Sequence, residues 1–302
     1  MSLFEKASGL AVRHLSETRL AQLRNLYLST RRGLYPVMRR VYGTFDTAAL
    51  REHLEQQVGR DFQILMVHSS VNHMQPMFTG SALELLRMLI DFVGPDRTLA
   101  MPAFYFGDPA IGHPPETFRA KPRFDVRRTP SQMGLLTELF RRSKGVIPSR
   151  HPVYRICALG PMAPALVQGH ESAGSPAGRG TPFDFMANQD TVILGLGKHL
   201  EVLTQVRHAE YLMGEAFPVP PEPPGEPVHL TLVDGSEEIP FHLQARTFEW
   251  PLEIGRLRRI MGPEHLREWR FHHVPMFVTR AGVVTETLVE AARRGVTLYR
   301  RP

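Results

Sequence analysis

The chain has 302 residues, 42% of them hydrophobic, which is enough to bury the core of one large α/β domain. Its only cysteine is Cys157, so neither an intrachain disulfide nor a thiolate-bound metal centre can form, and a reducing cytoplasm is the expected compartment. No apolar run is long enough for a membrane-spanning helix, and the first residues carry charge where a signal peptide would be apolar. These features exclude disulfide-rich secreted and integral membrane classes.

The net charge of +6 is concentrated near the N-terminus, where residues 1–46 hold eight basic and three acidic side chains. This basic arm could dock on anionic lipid, nucleic acid or a partner, or it could be the solvated face of ordinary helices. We favour the second interpretation because plain surfaces are commoner. A peripheral membrane contact and a homodimer contact both stay open. Zinc-finger spacing and an RRM-type aromatic box are missing from the sequence, so no nucleic-acid partner is predicted.

The first predicted elements are helices. Leu20, Leu23, Tyr27 and Leu28 follow helical spacing, and a second helix is expected to begin at Asp46 or Thr47 and to end at Gly59. We therefore predict a basic helical extension over residues 1–58 and an α/β domain over residues 59–302.

The predicted α/β domain opens with a strand, a helix and a second strand. These are "DFQILMVHSS" (61–70), "SALELLRMLIDFVG" (81–94) and "TLAMPAF" (98–104). Residues 105–131 are rich in Pro and Gly and should form an irregular excursion. The later predicted elements are a helix in 131–145, a strand in 154–160, a short helix in 162–170, a strand in 190–197, an extended connector over 218–228, a hairpin around Asp234–Gly235, and a final strand and helix in 270–295.

Several strong motifs are absent from the sequence, including the phosphate-binding P-loop, the H-E-x-x-H zinc motif and the G-x-S-x-G elbow. "GLGKHL" resembles half of a dinucleotide fingerprint, but Leu200 stands where a third glycine belongs, so a tight turn is predicted. His272 and His273 are expected to point to opposite faces of one strand, which makes them poor metal co-ligands.

Polar residues instead collect in four loops at predicted strand ends. These loops are "VHSS" (67–70), "SRHPVY" (149–154), "GRGTPFD" (178–184) and "LTQVRHAE" (203–210). Open α/β sheets build their sites at such ends. Each loop also has a structural explanation, because Ser69 and Ser70 can cap the next segment and His151 can hydrogen-bond the backbone.

The sequences of these loops and their order along the chain resemble those of the aminoglycoside 3-N-acetyltransferase family, over about residues 63–213. The resemblance implies a three-layer α/β/α sandwich around a mixed β-sheet. It also implies transfer of an acetyl group from acetyl-CoA, with no metal, to the amine of an amino sugar. Relatives with the same fold acylate nucleotide-linked amino sugars or phosphonates. The expected partners are therefore an acyl-CoA and a small-molecule amine.

Such a reaction needs a base to free an amine whose pKa is about 10, and fixed donors for the oxyanion formed at the thioester. Fourteen residues are candidates for roles in this reaction. The catalytic candidates are Thr204, Arg207, His208 and Glu210; the cofactor-binding candidates are His68, Ser69, Ser70, Gly80, Ser149, Arg150 and His151; the substrate-binding candidates are Arg155, Asp184 and Tyr211. No metal ligand is predicted.

The chain departs from the family pattern at two positions. The histidine of the H-x-A-E motif is Arg207 here, and the serine expected after S-x-H-P is Arg155. Three hypotheses follow. His208 could replace the base after a small rotation of the helix, oriented by Glu210 or another carboxylate. Arg207 and Arg155 could instead bind an anionic group, with the departing thiolate accepting the proton. Finally, the scaffold could have lost catalysis and bind a ligand or partner. We favour the second over antibiotic acetylation, because aminoglycosides are polycations that two buried arginines would repel.

Overall fold

A computed structural model describes residues 33–244 and 246–301 of the chain. The chain divides into two compact units, residues 1–44 and 45–302. In the first unit the described residues contain helix α1 (Tyr35–Tyr42), which has a proline in its first turn and ends at Gly43. Gly43 has a φ of 71° and donates its N–H to the Arg39 carbonyl. The helix predicted around Leu20–Leu28 lies outside the described residues.

The second unit begins before the predicted domain boundary at residues 58 and 59. Helix α2 (Thr47–Gln57) is capped by the Asp46 carboxylate, which accepts from the Ala49 N–H at 2.9 Å, as predicted. Leu50 and Leu54 on this helix are completely buried. Because these leucines belong to the core of residues 45–302, α2 is part of the α/β domain and not of an N-terminal extension.

The central feature of the second unit is a seven-stranded mixed sheet. Across the sheet its strands are β4 (Ile147–Pro148), β5 (Ile156–Leu159), β2 (Thr98–Pro102), β1 (Ile64–Ser69), β6 (Thr191–Leu196), β10 (Val274–Arg280) and β9 (Arg267–Phe271). Strands β2, β1 and β6 run parallel, and the two strands on each side are paired antiparallel. The predicted mixed sheet is confirmed.

Helices cover both faces of this sheet. They are α3 (Val71–Met74), α4 (Ala82–Val93), α5 (Pro114–Ala120), α6 (Leu135–Arg141), α7 (Ala163–Val167), α8 (Pro182–Ala187), α9 (Val206–Met213), α10 (Leu257–Met261) and α11 (Ala281–Arg293). Ile64 and Met66 share one core cluster with α7, α8, α9 and α11. The alternate residues Leu65 and Val67 are buried on the opposite face, where α4 and α6 pack. The architecture is an α/β sandwich.

Sequence reasoning misplaced one turn. His272 and His273 have φ values of 46° and 67° and connect β9 to β10 as a two-residue hairpin, with Phe271 paired to Val274. The expectation that they lie within one strand is wrong, because the apolar residues on both sides of the pair belong to two strands.

A small three-stranded sheet stands beside the main one. It contains β3 (Arg123–Asp125), β7 (Val228–Asp234) and β8 (Glu237–Leu243). The predicted hairpin turn is confirmed, with Gly235 at a φ of 66°. The core of this sheet is aromatic and includes Tyr105 and Val153, which lie next to the main sheet. It therefore holds the loops that follow β2 and precede β5. Within the described residues, none of the helices has the length and apolar character needed to cross a bilayer.

Candidate active site

The candidate site lies at one edge of the main sheet. Strands β1, β2 and β6 are parallel, so their carboxyl ends meet at this edge. Strand β5 runs antiparallel to β2, with Ile156 opposite Pro102, so the loop 149–155 that precedes it reaches the same edge. Helix α9 begins shortly after β6. The fold therefore brings three of the four polar loops to one edge, although they lie far apart in the sequence.

His68, Ser69 and Ser70 lie at the carboxyl end of β1. His68 is 2% exposed, and neither of its ring nitrogens has a partner among the described residues. Burial, with the Lys198 charge as a second cause, lowers the pKa of His68 to about 3, so the ring is neutral. Ser70 caps α3 by accepting from the His73 N–H at 3.4 Å.

Gly80, another predicted cofactor contact, has a packing explanation. A Cβ placed on this glycine would lie 2.6 Å from the Phe78 ring. The glycine is therefore needed to let that aromatic side chain pack, and the geometry gives it no direct role with a ligand.

The loop before β5 is held by two buried histidines. The His170 Nε2–H donates to the Pro176 carbonyl at 2.9 Å, so its Nδ1 accepts from the Ser149 hydroxyl at 2.8 Å. The His151 Nδ1 accepts from the backbone N–H of Tyr154 at 2.9 Å. Burial lowers the pKa of His170 to about 4 and lowers that of His151 well below 6.5. Both rings are neutral and fix the loop that presents Tyr154.

The two arginines of this loop have structural partners. Arg150 donates to Asp234 at 2.9 Å and to Glu237 at 2.5 Å, which ties the loop to the β7–β8 hairpin. Arg155 is completely buried, its guanidinium lies 5.3 Å from the Phe124 ring centre, and burial lowers its pKa to about 10. Its donors bond three backbone carbonyls, those of Ala103, Val126 and Thr129. We therefore revise the substrate-binding assignment of Arg155 to a structural one.

Arg207 belongs to a group that the sequence did not predict as a whole. Its Nη1 donates to the Glu210 carboxylate at 3.0 Å and to the Tyr299 hydroxyl at 2.7 Å. The Tyr299 hydroxyl in turn donates to Glu210 at 3.0 Å. Burial opposes the charge of Arg207, but Glu210 outweighs it, so the pKa of Arg207 is raised. We call Arg207, Glu210 and Tyr299 the Arg–Glu–Tyr triad.

The triad is open on one side. The Glu210 side chain is 5% exposed but that of Arg207 is 31% exposed. Among the residues that the structure describes, no partner is found for Nε or Nη2 of Arg207. Tyr154 and Tyr211 lie within electrostatic range of Arg207, and burial raises the pKa of both phenols. The site therefore offers fixed N–H donors and protonated hydroxyls.

His208 turns away from this group. It is fully buried, and its Nδ1–H donates to the Ala177 carbonyl at 2.6 Å. Its Nε2 lies 3.5 Å from the carboxylate of Asp184, which itself accepts from the Gly180 N–H. Burial lowers the pKa of His208. Glu210 thus does not orient His208, and the ring lies on a different face of α9 from the triad.

Two further observations complete the edge. The hydroxyl of Thr204, at the start of α9, is buried with no partner in the described part of the chain. Tyr299 was missed by sequence reasoning because it lies 92 residues beyond Arg207 in an irregular segment without a motif. No group of three or more potential metal ligands occurs within residues 33–244 and 246–301.

Comparison with known proteins identifies the family. A sequence model of the family described as Aminoglycoside 3-N-acetyltransferase matches residues 66–290. The chain belongs to the aminoglycoside 3-N-acetyltransferase family. The match extends well beyond the segment on which the resemblance was based.

Curated relatives of the family share moderate identity with the chain. Aminoglycoside N(3)-acetyltransferase III from Acinetobacter baumannii is 30% identical over 172 residues, which are 54% of this chain and 58% of that protein. The protein of the same name from Salmonella sp is 28% identical over 170 residues, 54% of this chain and 59% of that protein. The chain thus matches less than two thirds of the length of these relatives.

Solved structures of the family show the same fold. The crystal structure of aminoglycoside acetyltransferase AAC(3)-Xa has a TM-score of 0.71 at 22% identity and covers 87% of this chain and 98% of that one. AAC-IIIb in a binary complex with CoASH has a TM-score of 0.67 at 21% identity, over 86% of this chain and 100% of that one. The chain is therefore a family member with the family fold.

Proposed function

We propose that the chain is an acyl-CoA-dependent N-acyltransferase. It moves an acetyl, or another short acyl, group to the amine of a neutral or anionic amino sugar, such as one linked to a nucleotide. The observation that carries the proposal is the Arg–Glu–Tyr triad, in which a permanent cation with outward donors replaces a titratable ring. Family membership supports the acyl transfer.

Polar atoms at the sheet edge fit the acyl donor. The ring nitrogens of His68 and the hydroxyl of Thr204 are buried without partners among the described residues. Pantetheine carries two amide groups, each with a donor and an acceptor, and would supply such partners. In the proposal these two side chains contact the donor, with Ser69 and Ser70 beside His68. Arg150 and His151 act by holding the neighbouring loop.

The triad provides no side-chain base for the amine. Arg207 cannot accept a proton, Tyr299 carries one, and Glu210 is 4% exposed and already accepts from both. In the proposed step the neutral amine nitrogen attacks the thioester carbonyl carbon. The carbon–sulfur bond breaks, and the amine proton passes to the departing thiolate, which leaves as the free thiol. The outward N–H groups of Arg207 stabilise the negative charge that develops on oxygen.

The charges at the edge disfavour a polycationic acceptor. Glu210 is paired with Arg207, Asp184 accepts from the Gly180 backbone, and Glu171 lies 3.6 Å from Arg150. The charges of Glu210 and Glu171 are therefore each met by an arginine, and these two carboxylates are poor partners for several ammonium groups. An acceptor with a phosphate, or with no charge, meets no such obstacle.

Release of CoA thiol, followed with a thiol-trapping reagent, tests the proposal across a panel of amines. We expect a nucleotide-linked amino sugar or an amino sugar phosphate to give a higher kcat/KM than a kanamycin-type aminoglycoside. Efficient acetylation of the aminoglycoside with no turnover of the anionic amines would show instead the activity after which the curated relatives are named. Binding of CoA without thiol release from any amine would favour a non-catalytic protein.

A further inference from the structure

A cavity lined by arginines and apolar residues lies away from the acyl-transfer edge, beside the end of α11. It has a volume of about 330 Å³, within the size range of small-molecule sites. Its lining residues are Arg256, Arg259, Ile260, Ala291, Arg294 and Val296. The lining therefore combines three arginines with three apolar residues, and no lining residue among those described is acidic.

The arginines of this cavity are short of partners. Arg256 donates to the Tyr299 carbonyl at 2.5 Å, and no carboxylate pairs with it, with Arg259 or with Arg294 in the described ranges. The neighbouring Arg258 differs, because it donates to Glu268 at 2.5 Å and 2.8 Å. The carbonyl dipole at the end of a helix favours one nearby cation. It does not explain why Arg256 and Arg259, one turn apart on the same helical segment, and Arg294 at the end of α11 all line one cavity.

We infer that Arg256, Arg259 and Arg294 form a binding site for a phosphate-bearing small molecule. Guanidinium groups bind phosphate oxygens through paired, charge-assisted hydrogen bonds, and three of them match a diphosphate or a phosphate ester. The apolar lining residues Ile260 and Val296 would contact the carbon part of such a ligand. The phosphates could belong to coenzyme A or to a separate phosphorylated metabolite, since both have the same chemistry.

This site does not depend on the proposed acyl transfer. It touches the Arg–Glu–Tyr triad only through Tyr299, whose carbonyl faces Arg256 and whose hydroxyl bonds Arg207. Direct measurement of binding therefore tests the anion site even if every amine in the acetylation panel fails. Failure of the anion site would equally leave the acyl-transfer proposal standing.

The test is calorimetric titration of the full chain with inorganic pyrophosphate at about 0.15 M salt, where weak surface attraction is screened. We expect one site, with Arg259→Ala and Arg294→Ala each weakening binding at least about tenfold, the loss typical of a hydrogen bond to a charged group. Both side chains are exposed, so the variants should fold, and thermal unfolding checks this. Arg87→Ala removes the same charge from α4 and should bind like the parent chain.

Displacement experiments then identify the source of the phosphate. If CoA displaces pyrophosphate, and Arg259→Ala weakens CoA binding to the same extent, the cavity holds phosphates of the coenzyme. If a hexose 1-phosphate displaces pyrophosphate and CoA does not, it holds a separate metabolite. The inference is overturned if the parent chain shows no binding, if Arg87→Ala weakens binding as much as the cavity variants, or if chloride displaces pyrophosphate equally well.

Discussion

In the proposed reaction the chemistry depends on Arg207. In the H-x-A-E pattern of the family a histidine is expected there, and an imidazole can take a proton from the amine. The Arg207 guanidinium cannot take a proton, and its hydrogen bonds to Glu210 and Tyr299 hold it in place. The adjacent His208 offers no replacement because it is fully buried and bonded to Ala177.

The substitution Arg207→His should restore a base to the edge. In the parent chain we expect kcat/KM to rise with pH up to the pKa of the amine itself, because only the neutral amine reacts. In the variant, kcat/KM should level off above an imidazole pKa of about 6.5. Profiles measured with two amines of different pKa distinguish these cases. An inflection in the parent chain at the same pH for both amines would reveal a side-chain base and contradict the prediction.

The triad also has a consequence for stability. Arg207→Gln leaves the buried Glu210 carboxylate without its cation and should lower the free energy of unfolding by about 2 to 4 kcal/mol. Glu210→Gln should cost less, because the partly exposed Arg207 keeps access to water. The double variant should recover most of the loss. Denaturant unfolding of the three variants gives the coupling, and additive losses would mean that the pair does not interact.

The buried neutral histidines predict sensitivity to acid. The pKa values of His68 and His170 are about 3 and about 4 in the folded chain, below the ordinary 6.5, so the unfolded chain binds protons first. Stability should be intact above pH 6.5 and fall as the pH drops toward 4, by up to about 2 kcal/mol per histidine at pH 5. His68→Leu, followed by denaturant unfolding at pH 7 and pH 5, should show a smaller fall than the parent. An equal fall would contradict the assignment.

At the scale of elements, the loop 149–155 connects the main sheet to the three-stranded sheet. The buried Arg155 holds the loop through hydrogen bonds to backbone carbonyls on the segments after β2 and β3. The partly exposed Arg150 holds the loop through ion pairs with the β7–β8 hairpin. The two arginines stand five positions apart but differ in burial, so they make a matched pair for experiment.

Arg155→Ala should lower the free energy of unfolding by about 3 kcal/mol or more, because it opens a cavity and leaves three carbonyls unpaired. Arg150→Ala should cost only about 1 kcal/mol, since its ion pairs are partly exposed. Thermal and denaturant unfolding of both variants check the difference. Losses of similar size would show that Arg155 is not the structural residue that its burial indicates.

At the scale of the whole molecule, the division between the two units predicts which N-terminal residues can be deleted without unfolding residues 45–302. Deletion of residues 1–44 should leave residues 45–302 folded, with a cooperative unfolding transition. Deletion of residues 1–58 removes α2 as well and exposes the core surface that Leu50 and Leu54 cover, at a cost of about 2 to 5 kcal/mol for each leucine. The two truncations therefore locate the boundary, and equal stability of both would place it at residue 58.

The sequence alone determined the strands β1, β2, β5 and β6, the hairpin at Gly235, the cap at Asp46 and the family, because each depends on local periodicity, turn chemistry or a linear motif. Tertiary structure decided the partners of Arg207, the burial of Arg155 and the direction of His208. Those depend on Tyr299, on carbonyls at positions 103, 126 and 129, and on Ala177. The physical reason is that the role of a charged side chain depends on the distant groups that bury it and hydrogen-bond to it. The spacing of residues along the sequence does not show which groups these are.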